Sequence, residues 1–363
     1  MNTTIIRIHY IDAIRGVAII LALNQHLGSW LYRAKIGVSQ LERDIFYWVN
    51  SASGFGAPLF ITVAGVSAML FAGSKHSKDW ASVKRGAVVV LYGYLLNIFT
   101  PSWFVLGSWF VLHMIGFSIM TTPLVRRLPN LLLIGLTIAI LGISVLAQEV
   151  LQTPPVTGNA HMNNTRLAGG LLRIILFEGH FPIFPWYAFF LGGAFLARLL
   201  SVEKIKSLLI LSAGLLAIAG LFVLLSSYSF AKAEPFRRML SVNLYFYPMH
   251  PFVFILCYPL IIIGFLLFRW FDAWQPFLPD NPLNSLGKAT LSIYFCHIVL
   301  FKWLQAQGLL PSFGTAGVFS INAAIIVVLT IAAHFWSKTG FRYGLEWLLR
   351  KLVPSTGSRP VNV

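Results

Sequence analysis

Four groups that chemistry can use sit inside one apolar run near the start of the chain. They are Asp12, Arg15, Asn24 and His26, within "HYIDAIRGVAIILALNQHLG" (residues 9–28). An ionisable side chain in a membrane-length helix costs a few kcal/mol, so it needs a reason. Asp12 and Arg15 are three residues apart and share a helix face, where they can pair. His26 follows Arg15 by eleven residues, about 16 Å along a helix and within about 20° of the same face. Arg15 and His26 therefore look along one stripe. A guanidinium at one end of that stripe suits a phosphate-bearing ligand, because its planar fork pairs bidentately with phosphate. An imidazole further along suits proton transfer, because it titrates near neutrality. Asn24 adds a polar amide beside it. Two plainer uses stand next to these: an Asp12–Arg15 bridge that anchors a helix end, and a histidine satisfied within the core.

Composition says what must position these groups. The chain has 363 residues, of which 57% are hydrophobic and 10% charged, and its mean hydropathy is +0.77. A soluble domain carries roughly 25% charged residues. Apolar runs of about 18–20 residues recur along the whole length, which predicts an all-α, polytopic integral membrane protein. Ten candidate transmembrane helices cover 11–31, 54–73, 86–101, 104–124, 129–149, 181–200, 207–226, 249–268, 289–306 and 316–336. Residues 86–124 hold two short helices broken at "TPSW" (100–103), where Pro101 and the residue before it disfavour helix. Residues 32–53 contain "SQLERDIFYWVNSA", amphipathic enough to lie on a membrane surface. The segments placed inside by a cytoplasmic N-terminus hold about twice as many Lys and Arg as those placed outside. That bias predicts both termini in the cytoplasm of a multi-pass protein of the cytoplasmic (inner) membrane. Residues 1–340 read as a single transmembrane domain and 341–363 as a cytoplasmic basic tail, which opens with the aromatic, interfacial "FRYGLEWLLRKL".

The formal charge of +16 is assigned to anionic lipid headgroups and not to nucleic acid, because Lys and Arg cluster in short loops between apolar runs. Cys257 and Cys296 both lie within apolar spans and read as no disulfide framework. The chain has no Walker loop, no GxSxG, no HExxH and no CxxC. Its histidines are scattered singly, so no metal site is predicted.

Further polar groups fit a cavity within the membrane. "GFGAPLFITVAGVSAML" (54–70) carries Gly and Ala at helix-packing spacing, and "WFVLHMIG" (109–116) brings His113 into the fourth span. "FEGHFPIFPWYAFFLGG" (177–193) brings Glu178, His180 and Trp186 to an outer membrane surface. Its aromatic and proline residues can stack a sugar ring or simply form the interfacial belt. "LGKATLSIYFCHIVL" (286–300) places His297 mid-helix, with Ser292 and Tyr294 as local partners.

"IDAIRGVAIILALNQH" resembles the opening of membrane-embedded acyltransferases of the acyltransferase-3 family, the O-antigen acetylase type, in which Arg, ten residues and then His sit in the first helix. The remainder is similar to the catalytic domain of the heparan-α-glucosaminide N-acetyltransferase family. The similar stretches are "RGVAIILALNQH", "GAPLFITVAGVSAML", "VLHMIGFSIMTTPLVRRLP", "HFPIFPWYAFFLGGAFLAR" and "LGKATLSIYFCHIVL", in order over nearly the whole chain. The resemblance implies ten or eleven helices, acetyl-CoA or another acyl-CoA bound from the cytoplasmic side, and a glycan or small-molecule acceptor on the other face. It gives His26 the role of catalytic base or of brief carrier of the acyl group, with Arg15 and Asp12 beside it. Arg15, Lys84 and Arg85 are then the candidates for the CoA phosphates, and Asn24, His113, His180 and Trp186 for the acceptor. Lys84-Arg85 is the nearest this chain comes to the second Arg-rich acyltransferase-3 motif. One departure matters: the lysosomal branch has Asn eleven after the Arg and its essential His in the following loop, whereas here residues 27–75 hold no His. The competing expectation is a transporter or flippase for a sugar or lipid-linked substrate, since Arg and His on one stripe also serve substrate and proton pathways.

Overall fold

The computed structural model describes residues 8–34, 36, 38–72, 79–101, 103–232, 234, 236–278 and 280–353. Every regular element among them is a helix. In chain order they are α1 (His9–Leu31), α2 (Gln40–Ser53), α3 (Gly56–Ala72), α4 (Asp79–Phe99), α5 (Val111–Val125), α6 (Asn130–Val150) and α7 (Ile183–Ser201). Then come α8 (Ile205–Ser226), α9 (Pro251–Trp274), α10 (Pro282–Lys288), α11 (Thr290–Ala306), α12 (Thr315–Ser337) and α13 (Leu345–Leu352). Short helical turns punctuate the 150–182 and 227–240 connections.

Each of the ten apolar runs falls on a helix. Among the described residues six segments are long and apolar enough to cross a membrane: Gln40–Leu70, α6, α7, α8, α9 and α12. The pair α10–α11, bent by 72° at Ala289, makes a seventh if it is one span. The protein is thus a polytopic, all-helical membrane protein. One boundary is corrected: the helix expected from residue 104 begins at Val111. Asn97 of α4 holds the intervening chain in a loop, donating to the carbonyl oxygens of Ser108 at 3.0 Å and Leu106 at 3.4 Å. Phe104 and Phe110 then stack across that loop with ring centres 4.4 Å apart.

The chain folds as two compact units. The first comprises Met1–Phe60 and Leu267–Pro354. Within it α1 lies against α10, and the approach depends on missing side chains: a Cβ on Gly287 would overlap the Asp12 carbonyl oxygen, and one on Gly16 would overlap that of Leu283. Two backbones this close leave Asp12 buried at the contact. α2 starts with a capping box in which Ser39 accepts from the Glu42 N–H and Glu42 accepts from the Ser39 N–H at 2.8 Å. It buries Phe46 on Tyr32, ring centres 3.6 Å apart, a contact that stabilises by about 2 kcal/mol for one fully buried aromatic. Its other face exposes Leu41, Tyr47 and Trp48, the amphipathic pattern expected from sequence. α13 is amphipathic too, and it is locked to α11: Glu346 accepts from the Ser292 N–H at 3.0 Å and from its hydroxyl at 2.5 Å.

The second unit runs from Ile61 to Leu266. Here α4 and α5 meet at Gly86 and Gly116, where a Cβ on either would strike the other's carbonyl oxygen. α7 packs on α9, the Tyr258 hydroxyl donating to the Gly192 carbonyl at 2.7 Å. Asp79, at the start of α4, forms ion pairs with Arg126 and Arg127 at 2.6 Å each.

Candidate active site

In the first unit α1 is unbroken from His9 to Leu31, so the rise and turn argued for Arg15 and His26 hold in the folded chain. Arg15 donates to Asp12 at 2.9 Å. The carboxylate is buried and the guanidinium half-exposed, with side-chain exposures of 4% and 32%.

His26 Nδ1 lies 2.9 Å from His297 Nε2, on α11. His297 Nδ1 lies 2.8 Å from the Ile293 carbonyl oxygen. A carbonyl only accepts, so His297 carries its proton on Nδ1 and offers a lone pair at Nε2. His26 must then donate from Nδ1, which leaves Nε2 as its unprotonated, basic nitrogen. One backbone carbonyl fixes the tautomers of two histidines. The rings lie nearly parallel, with centres 5.2 Å apart and 17° between planes. Trp30 packs on His26 at 5.4 Å and Tyr294 meets it edge-on at 6.0 Å. The Lys302 ammonium sits 5.3 Å from the Trp30 ring centre and donates to Gln305 at 2.8 Å.

Of the local partners expected for His297, Tyr294 meets its ring edge-on at 5.6 Å, but Ser292 does not bond it. Ser292 belongs to the Glu346 contact, and the side chain that hydrogen-bonds His297 is His26. The signal was present: His297, like His26, is a lone imidazole in an apolar run. Trp30 and Lys302 went unremarked because an aromatic and a lysine near a span end look like interfacial anchors.

Asn24 does not join this pair. Its amide nitrogen donates to Ser53 at 2.6 Å, and its oxygen accepts from Asn322 at 2.9 Å. Two residues before His26, it points about 200° round the helix and ties α1 to α2 and α12.

The other expected residues lie in the second unit. Lys84 is exposed on α4, with its ammonium 5.8 Å from the Trp80 ring centre, and Arg85 beside it is partly buried. His113 is wholly buried on α5. Its Nδ1 accepts from the Phe110 N–H at 3.3 Å, so its proton is on Nε2, which meets no hydrogen-bond partner. Trp186 was expected at an outer rim, but its indole is fully buried among Phe181, Phe189 and Phe246, and its N–H is likewise unpartnered. His180 is buried with Nε2 3.1 Å from the Asn159 amide oxygen, leaving Nδ1 a bare acceptor. Buried polar atoms without partners are rare and call for an explanation.

Beside His180, Glu178 is held by Arg173 at 2.5 and 2.8 Å, Thr153 at 2.5 Å and His161 at 2.9 Å. Burial pushes its carboxyl up, but hydrogen bonds from Arg173 and Thr153 and the charges of Arg173 and His161 outweigh that and hold it below the usual range. Burial pushes the His180 imidazole down to about 4. Burial, with the charges of Arg238 and Arg237, does the same for His250, also to about 4. A lowered imidazole loses stability as pH falls from the ordinary 6.5 toward 4, because the unfolded chain binds the proton first. At pH 5 each such histidine costs about 2 kcal/mol. The Glu178 contribution is present above the ordinary carboxyl value of 4.5 and is lost only as pH falls through the lower folded value, so it leaves that window untouched. The thermal midpoint is therefore expected to fall between pH 7 and pH 5, and His180→Gln to flatten the fall. An equal slope in the variant would refute this origin.

Among the described residues no group of three His, Cys, Asp or Glu side chains is arranged to hold a metal ion. A family model described as "Heparan-alpha-glucosaminide N-acetyltransferase, catalytic" matches residues 7–231, more than half of the chain. A second, described as "Protein of unknown function (DUF418)", matches residues 194–355. No curated protein matches. The first match contains Asp12, Arg15 and His26, and the second contains His297.

Proposed function

Because the chain belongs to the family of the heparan-α-glucosaminide N-acetyltransferase catalytic domain, we propose that it is an acyl-CoA-dependent transmembrane acyltransferase. It moves an acyl group, acetyl in the simplest case, to a hydroxyl or amine of a glycan or similar small acceptor. The observation that carries this reading is the His26–His297 hydrogen bond and the tautomers it imposes.

The reaction needs a base for the acceptor proton and an acid for the departing thiolate. His26 Nε2 takes the proton from the acceptor O–H or N–H as the acceptor attacks the thioester carbonyl. The new C–O or C–N bond forms, the C–S bond breaks, and the proton passes from His26 to the CoA sulfur. While His26 is an imidazolium, its Nδ1–H still points at His297 Nε2, which steadies the charge. General acid–base catalysis of this kind is worth roughly 10²–10⁴ in rate. Arg15, oriented by Asp12, binds donor phosphates about 16 Å from His26, a gap for the pantetheine arm. Lys84 and Arg85 keep the donor-phosphate role that the resemblance gives them. His113, His180 and Trp186 keep the acceptor role, which their unpartnered polar atoms support. Asn24 is withdrawn from it, since its amide is spent between helices. We take all ten apolar helices as crossings of the inner membrane, both termini cytoplasmic, the donor arriving from inside and the acceptor from outside.

One observation favours transport: the 72° break between α10 and α11, because broken helices line transporter sites. The two readings separate on acetyl-CoA. Purified protein is expected to bind acetyl-CoA, seen by calorimetry, and Arg15→Lys to weaken that binding roughly tenfold by losing the bidentate fork. Folded protein that binds no acetyl-CoA but exchanges substrate across vesicles would overturn the acyltransferase reading.

A further inference from the structure

The first unit carries a groove whose lining matches nothing in the chemistry above. Pro282 of α10 and Ile326, Thr330, Ile331, His334 and Phe335 of α12 enclose about 320 Å³. Its polar lining groups are Thr330, whose hydroxyl donates to the Ile326 carbonyl at 2.6 Å, and His334; the rest is apolar. It lies along a helix of which only 17% is covered within the protein. In a membrane protein such a face meets hydrocarbon chains.

The groove ends at a cation. His334 Nδ1 is held by the Asp280 carbonyl at 3.0 Å. One turn on, Lys338 is exposed, with its ammonium 4.9 Å from the ring centre of Phe335, itself part of the lining. The Trp336 indole donates to the Arg342 carbonyl at 2.9 Å, which ties the chain that follows Lys338 to the end of α12. The acid of α13, Glu346, is turned onto Ser292. An apolar slot with an exposed ammonium at its end has the chemistry of one lipid class.

We propose that this groove is a specific site for an anionic phospholipid, one acyl chain lying along Pro282, Ile326 and Ile331 and the phosphate meeting Lys338. Its occupant would press on α10, whose Gly287 and Leu283 seat against Asp12 and Gly16 of α1. The lipid would brace the helix pair that carries Arg15, and its binding is independent of acyl transfer.

The test uses the full chain in detergent, titrated with phosphatidylglycerol or with phosphatidylcholine of the same chains, and read by native mass spectrometry and thermal unfolding. Phosphatidylglycerol is expected to form a one-to-one adduct and to raise the midpoint, with a preference of at least roughly fivefold over phosphatidylcholine, the factor expected of one cation at an anionic surface. Lys338→Ala should cut that preference by about the same factor. Thr330→Trp, which fills the groove, should abolish the adduct, and Lys338→Ala decides alone if that variant does not fold. Glycerophosphoglycerol, a headgroup without chains, should not bind. Equal binding of the two lipids, a preference surviving Lys338→Ala, or binding of the bare headgroup would each overturn the site.

Discussion

His26→Ala is expected to lower acetyl transfer from acetyl-CoA by roughly 10²–10⁴, the span that positioned acid–base groups contribute. The measurement is label transferred per minute by purified protein, with acetyl-CoA affinity followed in parallel. Donor affinity should stay within about twofold, because Arg15 lies about 16 Å away along α1. Loss of both together would point to a disrupted fold, and a wild-type rate would remove His26 from the chemistry. The variant also leaves the His297 Nε2 lone pair buried without its donor, at a cost of about 1–3 kcal/mol. Its unfolding midpoint should be read alongside the rate. His26→Asn, which can still donate an N–H toward His297, should recover stability without recovering rate.

His297→Ala is the second large effect. In the proposed reaction His297 is a positioning residue, acting on substrate only through His26. Removing it strips the acceptor from His26 Nδ1–H, so the imidazole is free to turn or to move its proton to the other nitrogen. Loss of an orienting hydrogen bond of this type costs roughly 10–100-fold. The fall should appear in kcat while KM for acetyl-CoA stays put, because no donor contact is touched. His297→Gln offers an amide oxygen close to where Nε2 stood and should restore much of the loss, whereas His297→Leu of similar volume should not. Equal rates for the Gln and Leu variants would show that His297 only fills space.

Much of this was legible from local pattern. Asp12, Arg15 and His26 could be placed on one face because helical periodicity is a short-range property and α1 keeps it for 23 residues. The amphipathic α2 and α13 were legible for the same reason. The break between α4 and α5 was visible in Pro101, but not its length, because Asn97 reaches across the loop to hold it open. The partner of His26 was not legible: His297 is 271 positions away, and no local spacing records which distant helix will face which. Trp186 misled for a related reason. A tryptophan near a span end reads as interfacial unless one knows that Phe181 and Phe246 cover it. Asn24 looked like a companion of His26 by sequence distance, yet two residues along a helix is nearly the opposite side.

The unit that holds the two histidines draws on Met1–Phe60 and on Leu267–Pro354, so its two strips of chain leave the ribosome more than 200 residues apart. His26 is made early, without the neighbour that sets its proton. Everything from Ile61 to Leu266 must be threaded before α11 can deliver His297. Until then the growing chain holds an imidazole whose proton can sit on either nitrogen, beside whatever thioesters the cell contains. The His26–His297 hydrogen bond can form only once α11 has been made. A chain cut short anywhere before residue 297 would carry Arg15 and His26 with nothing to set the proton of the imidazole.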